Sequence, residues 1–157
     1  MEMLKKAAEY ALASLVKAGA DKAQVSVSSG DSEEFNVDAG EFSLIRSVFS
    51  SGIAVKAVKD GKKGTASVNQ LDKESIDEAV KECIESAEAG VPDDAVTVAE
   101  KEENCDFVSG ALAPDKAAFF DSLIRFTEDV KREFPQIMIE QLVATYGRGK
   151  LVTANTN

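Results

Sequence analysis

The sequence predicts an α+β fold: an antiparallel meander of about five strands, an ordinary sheet size, packed with two to three helices and followed by a C-terminal hairpin. Three observations predict it. Apolar residues recur at helical spacing as far as Val16, alternate from Ala23, and return to helical spacing after Asp72. Tight-turn signals separate the alternating stretches, and strands joined by tight turns pair antiparallel because parallel strands need long crossovers. A capped stripe of apolar residues then follows Asp72.

The first helix is expected over residues 3–18. Leu4, Ala8, Ala11, Leu12, Leu15 and Val16 form its stripe, and Gly19 can adopt the left-handed conformation that stops it. Strands follow over 23–69. Val25 and Val27 alternate with Gln24, Ser26 and Ser28, the period of a half-buried strand. "SSGDS" at 28–32 reads as a turn, Phe35 and Val37 alternate again, and "DAGE" at 38–41 reads as a second turn. Phe42–Phe49 and Ile53–Val58 read as two strands separated by "SSG". Asp60-Gly61 is a hairpin dipeptide, since Gly accepts the positive φ such a turn demands, and 64–68 returns.

Asp72 caps the second helix, 73–88, with the stripe Ile76, Ala79, Val80, Cys83, Ile84 and Ala87; Gly90 and Pro92 end it. Residues 91–112 are acidic and weakly patterned, a long connection with a short strand expected at Val96–Val98. A third helix, 114–134, starts with Pro114 at its first position, where the missing N–H does no harm. Phe120, Leu123, Ile124, Thr127, Val130 and Phe134 are its expected buried face, and Pro135 stops it. Residues 137–155 read as a hairpin around "GRG" at 147–149. The 157 residues are expected to form a single α+β domain, the N-terminal domain of a longer chain, since the sequence ends just after a strand.

Charge and composition narrow the function classes. Asp plus Glu outnumber Lys plus Arg by 28 to 18, a net charge of -10 that repels phosphate backbones and anionic lipid. No direct nucleic-acid contact is expected. No stretch approaches the roughly 18 consecutive apolar residues of a membrane span. Glu2 and Glu9 interrupt any signal-peptide pattern, and two isolated cysteines make no disulfide framework. The expected location is cytoplasmic.

Candidate chemistry is sparse. The chain has no histidine, which removes the usual general base, the commonest zinc ligand and the His-activated nucleophile. Cys83 lies on an apolar stripe and is expected to be inert core, with a nucleophile as the alternative. Cys105 has Glu103 and Asp106 beside it, which disfavour a thiolate. Glu33-Glu34 and the Asp38/Glu41 pair lack any calcium-loop spacing and read as solvated turns rather than an acid/base pair. "DGKKG" at 60–64 joins two strands, whereas a phosphate cradle opens a helix. Phe35, Phe42 and Phe49 are expected in the core, because a base-stacking platform needs cations around it. No catalytic, cofactor-binding or metal-ligating residue is assigned.

The stretch "GIAVKAVKDGKKGTASVNQLDKESIDEAVKECIESA", from Gly52 to Ala87, resembles the N-terminal domain of the TldD/PmbA family. The family pattern is a glycine-aliphatic strand with a basic residue (Gly52 to Lys56), a Gly turn (Asp60-Gly61), a "GxAS" return (Gly64 to Ser67) and an Ala-rich helix (Ile76 to Ala87). The upstream "GADKAQVSVSSGDSEEFNVDAGE" and the closing "KLVTANTN" are similar to the family's opening and to a later strand. Lys56 stands where the family commonly has arginine. "KKGTAS" looks more like the PmbA (TldE) branch.

The family was formerly described as modulators of DNA gyrase and is now regarded as zinc-dependent peptidases and their partner subunits. The resemblance implies zinc only on an HExxxH motif in a C-terminal domain beyond these residues, so no ligand carries over. It also implies a second subunit, in a homo- or heterodimer enclosing a cavity, and an unfolded peptide as substrate. This chain would then be a structural or substrate-channel domain for proteolysis or peptide maturation. The alternative from another class is a free-standing adaptor that binds a partner through its sheet edge or face.

Overall fold

A computed structural model describes residues 1–101, 103–111 and 115–157. Its elements are α1 (Glu2–Lys17), β1 (Lys22–Asp38), β2 (Glu41–Lys59), β3 (Lys62–Val68), α2 (Lys73–Ala89), α3 (Lys116–Glu133) and β4 (Gln141–Asn155). The strands make one four-stranded sheet in the order β3-β2-β1-β4. The α+β class is as the sequence predicts, with fewer and longer strands.

Glycine conformation accounts for that difference. At Ala39-Gly40 φ is 50° and 79°, and at Asp60-Gly61 it is 51° and 71°. Two successive positive φ values match the twist of flanking strands and close the β1–β2 and β2–β3 hairpins. Gly30, Gly52, Gly147 and Gly149 take no positive φ. The expected turns at 28–32 and at "SSG" before Gly52 are therefore continuous strand inside β1 and β2. The expected hairpin over 137–155 is likewise one strand, β4, running through "GRG".

By their internal contacts the residues divide into two compact units. The first comprises Met1–Gly30, Phe49–Glu103 and Gly149–Asn157, and the second Asp31–Val48 and Asn104–Arg148. Strands β1, β2 and β4 contribute residues to both.

In the first unit, α1 and α2 share one core with the sheet. Leu4, Ala8, Ala11 and Leu15 of α1 meet Ile76, Ala79, Val80 and Cys83 of α2 and the inward residues Ala23, Val25, Val27, Ile53, Val55 and Ala57. Period-2 alternation places those six on one face. Ala7 is also buried, whereas Val16 of the expected stripe is exposed. α1 closes at Gly19, whose φ of 95° is left-handed as expected. Asp72 caps α2 by accepting from the Ser75 amide at 3.0 Å. The cap's hydrogen bonds hold the Asp72 carboxyl below its ordinary pKa. β3 lies so close to α2 that a Cβ on Gly64 would stand 1.9 Å from the Cys83 carbonyl oxygen.

In the second unit the core is small. Phe35, Val37 and Leu123 are buried, with Phe119, Phe120, Leu142 and Ala144 packed against them. Phe35 meets Phe119 edge-on at 5.5 Å, and Phe42 meets Phe120 at 4.9 Å. α3 starts at Lys116, capped by Asp115, which accepts from the Ala118 amide at 2.9 Å. Pro114, expected at the first helical position, lies outside the described residues. Phe134, expected on the buried face, is the C-cap of α3 and is exposed. Phe49, expected in the core, is 80% exposed.

Candidate functional site

The sequence assigned no reactive site, and the structure places the weighed residues apart. Cys83 is fully buried, its thiol 3.8 Å from the Val55 carbonyl, and burial pushes its pKa up, so it is poorly set for a thiolate. Cys105 is exposed. Three of the four candidate carboxylates are held in separate ion pairs. Glu33 meets Lys116, Glu34 meets Arg46 at 2.6 Å, and Glu41 meets Lys131 at 3.1 Å. Among the described residues no three or more His, Cys, Asp or Glu side chains cluster to hold a metal. The zinc that the resemblance implies does not fit the donors here: there is no histidine, and Cys83 is stowed inside a core.

The candidate surface is the face of the first unit's sheet that lies away from α1 and α2. Alternation that sends Val25, Val55 and Ala66 inward sends Gln24, Ser26, Ala54, Lys56, Thr65 and Ser67 to this other face. The β2–β3 register pairs Lys56 with Thr65 and Ala54 with Ser67. The Ser26 hydroxyl lies 3.3 Å from that of Thr153 on β4. Together these strands floor a concavity of about 410 Å³, lined by Gln24, Ser26, Ala54, Val55, Lys56, Thr65, Ala66 and Ser67.

One end of the face is crossed by the segment after α2. It starts at the β2–β3 hairpin, where the Asp93 amide donates to the Gly61 carbonyl at 3.0 Å. Farther on, Lys56 Nζ donates to the Thr97 carbonyl at 2.6 Å, and Lys22 Nζ to Thr97 Oγ1 at 3.2 Å. The Ala99 amide donates to Gln24 Oε1 at 3.2 Å. Asn155 and Asn157 donate through Nδ2 to the Ala99 carbonyl at 3.2 and 2.7 Å. Val98 is 3% exposed and anchors the crossing. The strand expected at Val96–Val98 is absent: these residues are irregular, and side chains hold their main chain.

Sequence reasoning missed this arrangement. Its only sequence trace was alternation, which showed that Gln24, Ser26 and Lys56 leave the core but not what they meet. Chemically the surface offers the Gln24 amide, three hydroxyls and the Lys56 ammonium group among its lining residues. Such a set can make hydrogen bonds.

Comparison with known proteins places the fold. Residues 23–87 match the model for PmbA/TldA metallopeptidase domain 1. Among solved structures, TldE from Thermococcus kodakarensis superposes with a TM-score of 0.79 at 16% identity, covering 96% of this chain and 35% of that one. A protein described as a modulator of DNA gyrase from Thermotoga maritima gives 0.71 at 13% identity over 97% of this chain and 35% of that chain. Another so described, from Bacteroides thetaiotaomicron, gives 0.65 at 22% identity, with 97% and 36% coverage. The chain thus spans about a third of the length of these structures. No curated protein matches it. The preference for the PmbA (TldE) branch is consistent with the TldE match. Residues 23–87 thus match the first-domain model of the family that the sequence resembles, and across the rest of the chain the likeness is one of fold.

Proposed function

We propose that this chain is the N-terminal structural and substrate-channel domain of a TldD/PmbA-type protein acting in proteolysis or maturation of unfolded peptides, with no active site of its own. The observation that carries the reading is the family match over 23–87 in a chain that spans about a third of the solved structures it resembles. The donor set supports it, since the chain has no histidine and its Glu33, Glu34 and Glu41 are engaged in ion pairs, which leaves fewer groups to bind zinc or activate water. Its partners are then a C-terminal domain bearing the metal, a second subunit and an unfolded peptide. The setting is cytoplasmic, in keeping with two unpaired cysteines. No helix among the described residues is long and apolar enough to cross a membrane.

The test is metal analysis after dialysis and an unstructured-peptide cleavage assay, on this chain alone and joined to an HExxxH-bearing C-terminal domain. The chain alone should hold no stoichiometric zinc and cut nothing, and the joined protein should do both. One-to-one zinc on the chain, or cleavage abolished by a change in it, would overturn the reading.

A second reading, a free-standing adaptor, is favoured by one observation. β3 pairs with β2 only from Ile53 onward, so residues 42–51 of β2 have no strand on that side among the described residues. An unpaired edge with exposed Leu44, Ile45 and Val48 can accept a partner strand. Full binding of a partner by the chain without any C-terminal domain would favour it.

A further inference from the structure

We propose that Lys22, Gln24, Lys56, Asn155 and Asn157 form a seat for polypeptide main chain, and that residues 97–99 are its resident occupant, displaceable by an unfolded peptide. The inference rests on the reading that unfolded peptide is the ligand, and adds where in this domain it binds.

The occupant reveals the chemistry of the seat. Of the five side-chain contacts to Thr97 and Ala99, four go to main-chain atoms: the Thr97 carbonyl, the Ala99 amide and, twice, the Ala99 carbonyl. The fifth, Lys22 to the Thr97 hydroxyl, is the one that reads a side chain. Groups that read amides and carbonyls serve any sequence. They suit a ligand defined by being unfolded rather than by its residues.

The resident is weakly held. Each of these hydrogen bonds is exposed or partly exposed to water, where the net worth of such a bond is small. Val98 is its buried apolar anchor, and no ladder hydrogen bonds tie it to the sheet. A segment with few buried contacts opens locally without unfolding its domain. There is also room beside it. The concavity of about 410 Å³ shares Gln24 and Lys56 with the seat and continues over Ser26, Thr65 and Ser67, whose hydroxyls both donate and accept. A peptide that displaces residues 97–99 can extend into that space.

The experiment uses a fluorescent, end-blocked hexapeptide with the sequence of residues 95–100, a scrambled version, and a version N-methylated at the alanine matching Ala99. Binding is measured to the chain and to its Gln24→Ala, Lys56→Met and Val98→Ser variants, with thermal melts to confirm folding. The native and scrambled peptides should bind alike. The N-methyl peptide and the Gln24→Ala and Lys56→Met variants should each bind about three- to tenfold more weakly, the span of one lost hydrogen bond. Val98→Ser should bind more tightly, because it frees the seat. Should Val98→Ser unfold the chain, the Ala99 amide resonance of the native chain replaces it, and peptide should shift that resonance. Equal affinity for all three peptides and both seat variants, or an unmoved Ala99 resonance at saturation, would overturn the proposal. Cleavage by the joined protein is read separately: seat variants that cleave and bind normally sink the seat alone, whereas a joined protein that never cleaves while its seat binds sinks the peptidase reading alone.

Discussion

The two compact units differ in how they are held. Among the described residues the first buries a contiguous cluster from two helices and two strands, including Leu15, Val25, Val55 and Cys83. The second buries Phe35, Val37 and Leu123, and surrounds them with ion pairs such as Lys131–Glu41 and Arg148–Asp31. Buried apolar area stabilises in proportion to its extent, while exposed ion pairs add little. The first unit is therefore the rigid scaffold, and the second opens at lower free energy. The proposed seat lies on the rigid unit, where a binding constellation is best kept in register.

Substitutions can break this contrast, beginning with the largest effect. Gly64→Ala should destabilise the first unit by about 3 kcal/mol or more, at or beyond the top of the usual overpacking range. Its new Cβ would stand 1.9 Å from the Cys83 carbonyl and 2.6 Å from the Ala87 nitrogen, both backbone atoms that cannot give way cheaply. A urea midpoint lowered by less than a tenth would mean that β3 and α2 are not so closely packed.

Next is Leu123→Ala in the second unit, which should cost roughly 2–3 kcal/mol, the low end for a buried leucine, since a small cluster collapses readily. The informative readout is Cys83 labelling. Cys83 should stay protected in this variant while residues 116–133 lose amide protection. Joint loss of both would show that the units unfold together.

Cys83→Ser should cost about 1–3 kcal/mol, because it puts a hydroxyl in a fully buried apolar site whose carbonyl acceptor, on Val55, lies 3.8 Å from the native sulfur. In the native chain a thiol reagent should modify exposed Cys105 at once and Cys83 only on unfolding. Rapid modification of Cys83 would reopen a redox role.

The smallest effect concerns Asp72. Its folded pKa lies below the unfolded value, so the cap's contribution is present above the unfolded pKa and fades as pH falls through the folded one. Amide protection at the first turn of α2 should decline below the ordinary aspartate range, near ~3.9, and Asp72→Ala should remove that dependence. An unchanged acid profile in the variant would assign the loss to other carboxylates.

Much of the fold was legible in the sequence, though not its division into two units. The stripe Ile76–Ala87 and its Asp72 cap are local signals, and their structure followed from them. The hairpins at Gly40 and Gly61 were legible because a residue beside each glycine also takes positive φ. The glycines of "SSG" and "GRG" carry the same letters but remain in strand, since cross-strand pairing overrides local turn propensity. That is why five strands and a hairpin became four long strands. The seat was not legible. It joins Lys22 and Gln24 to Thr97 and Ala99, far apart in sequence, and no period or motif encodes a side chain meeting a distant carbonyl.

The claim that the first unit is the more stable of the two is tested most directly by native-state hydrogen exchange in increasing urea. The amides of Val25, Val55 and Cys83 should exchange only through global unfolding, with a steep urea dependence. Those of Val37, Leu123 and Thr127 should exchange through a smaller opening, at lower free energy and with a shallower slope. Merging of both sets onto a single isotherm at all urea concentrations would contradict the account and make the chain one cooperative body.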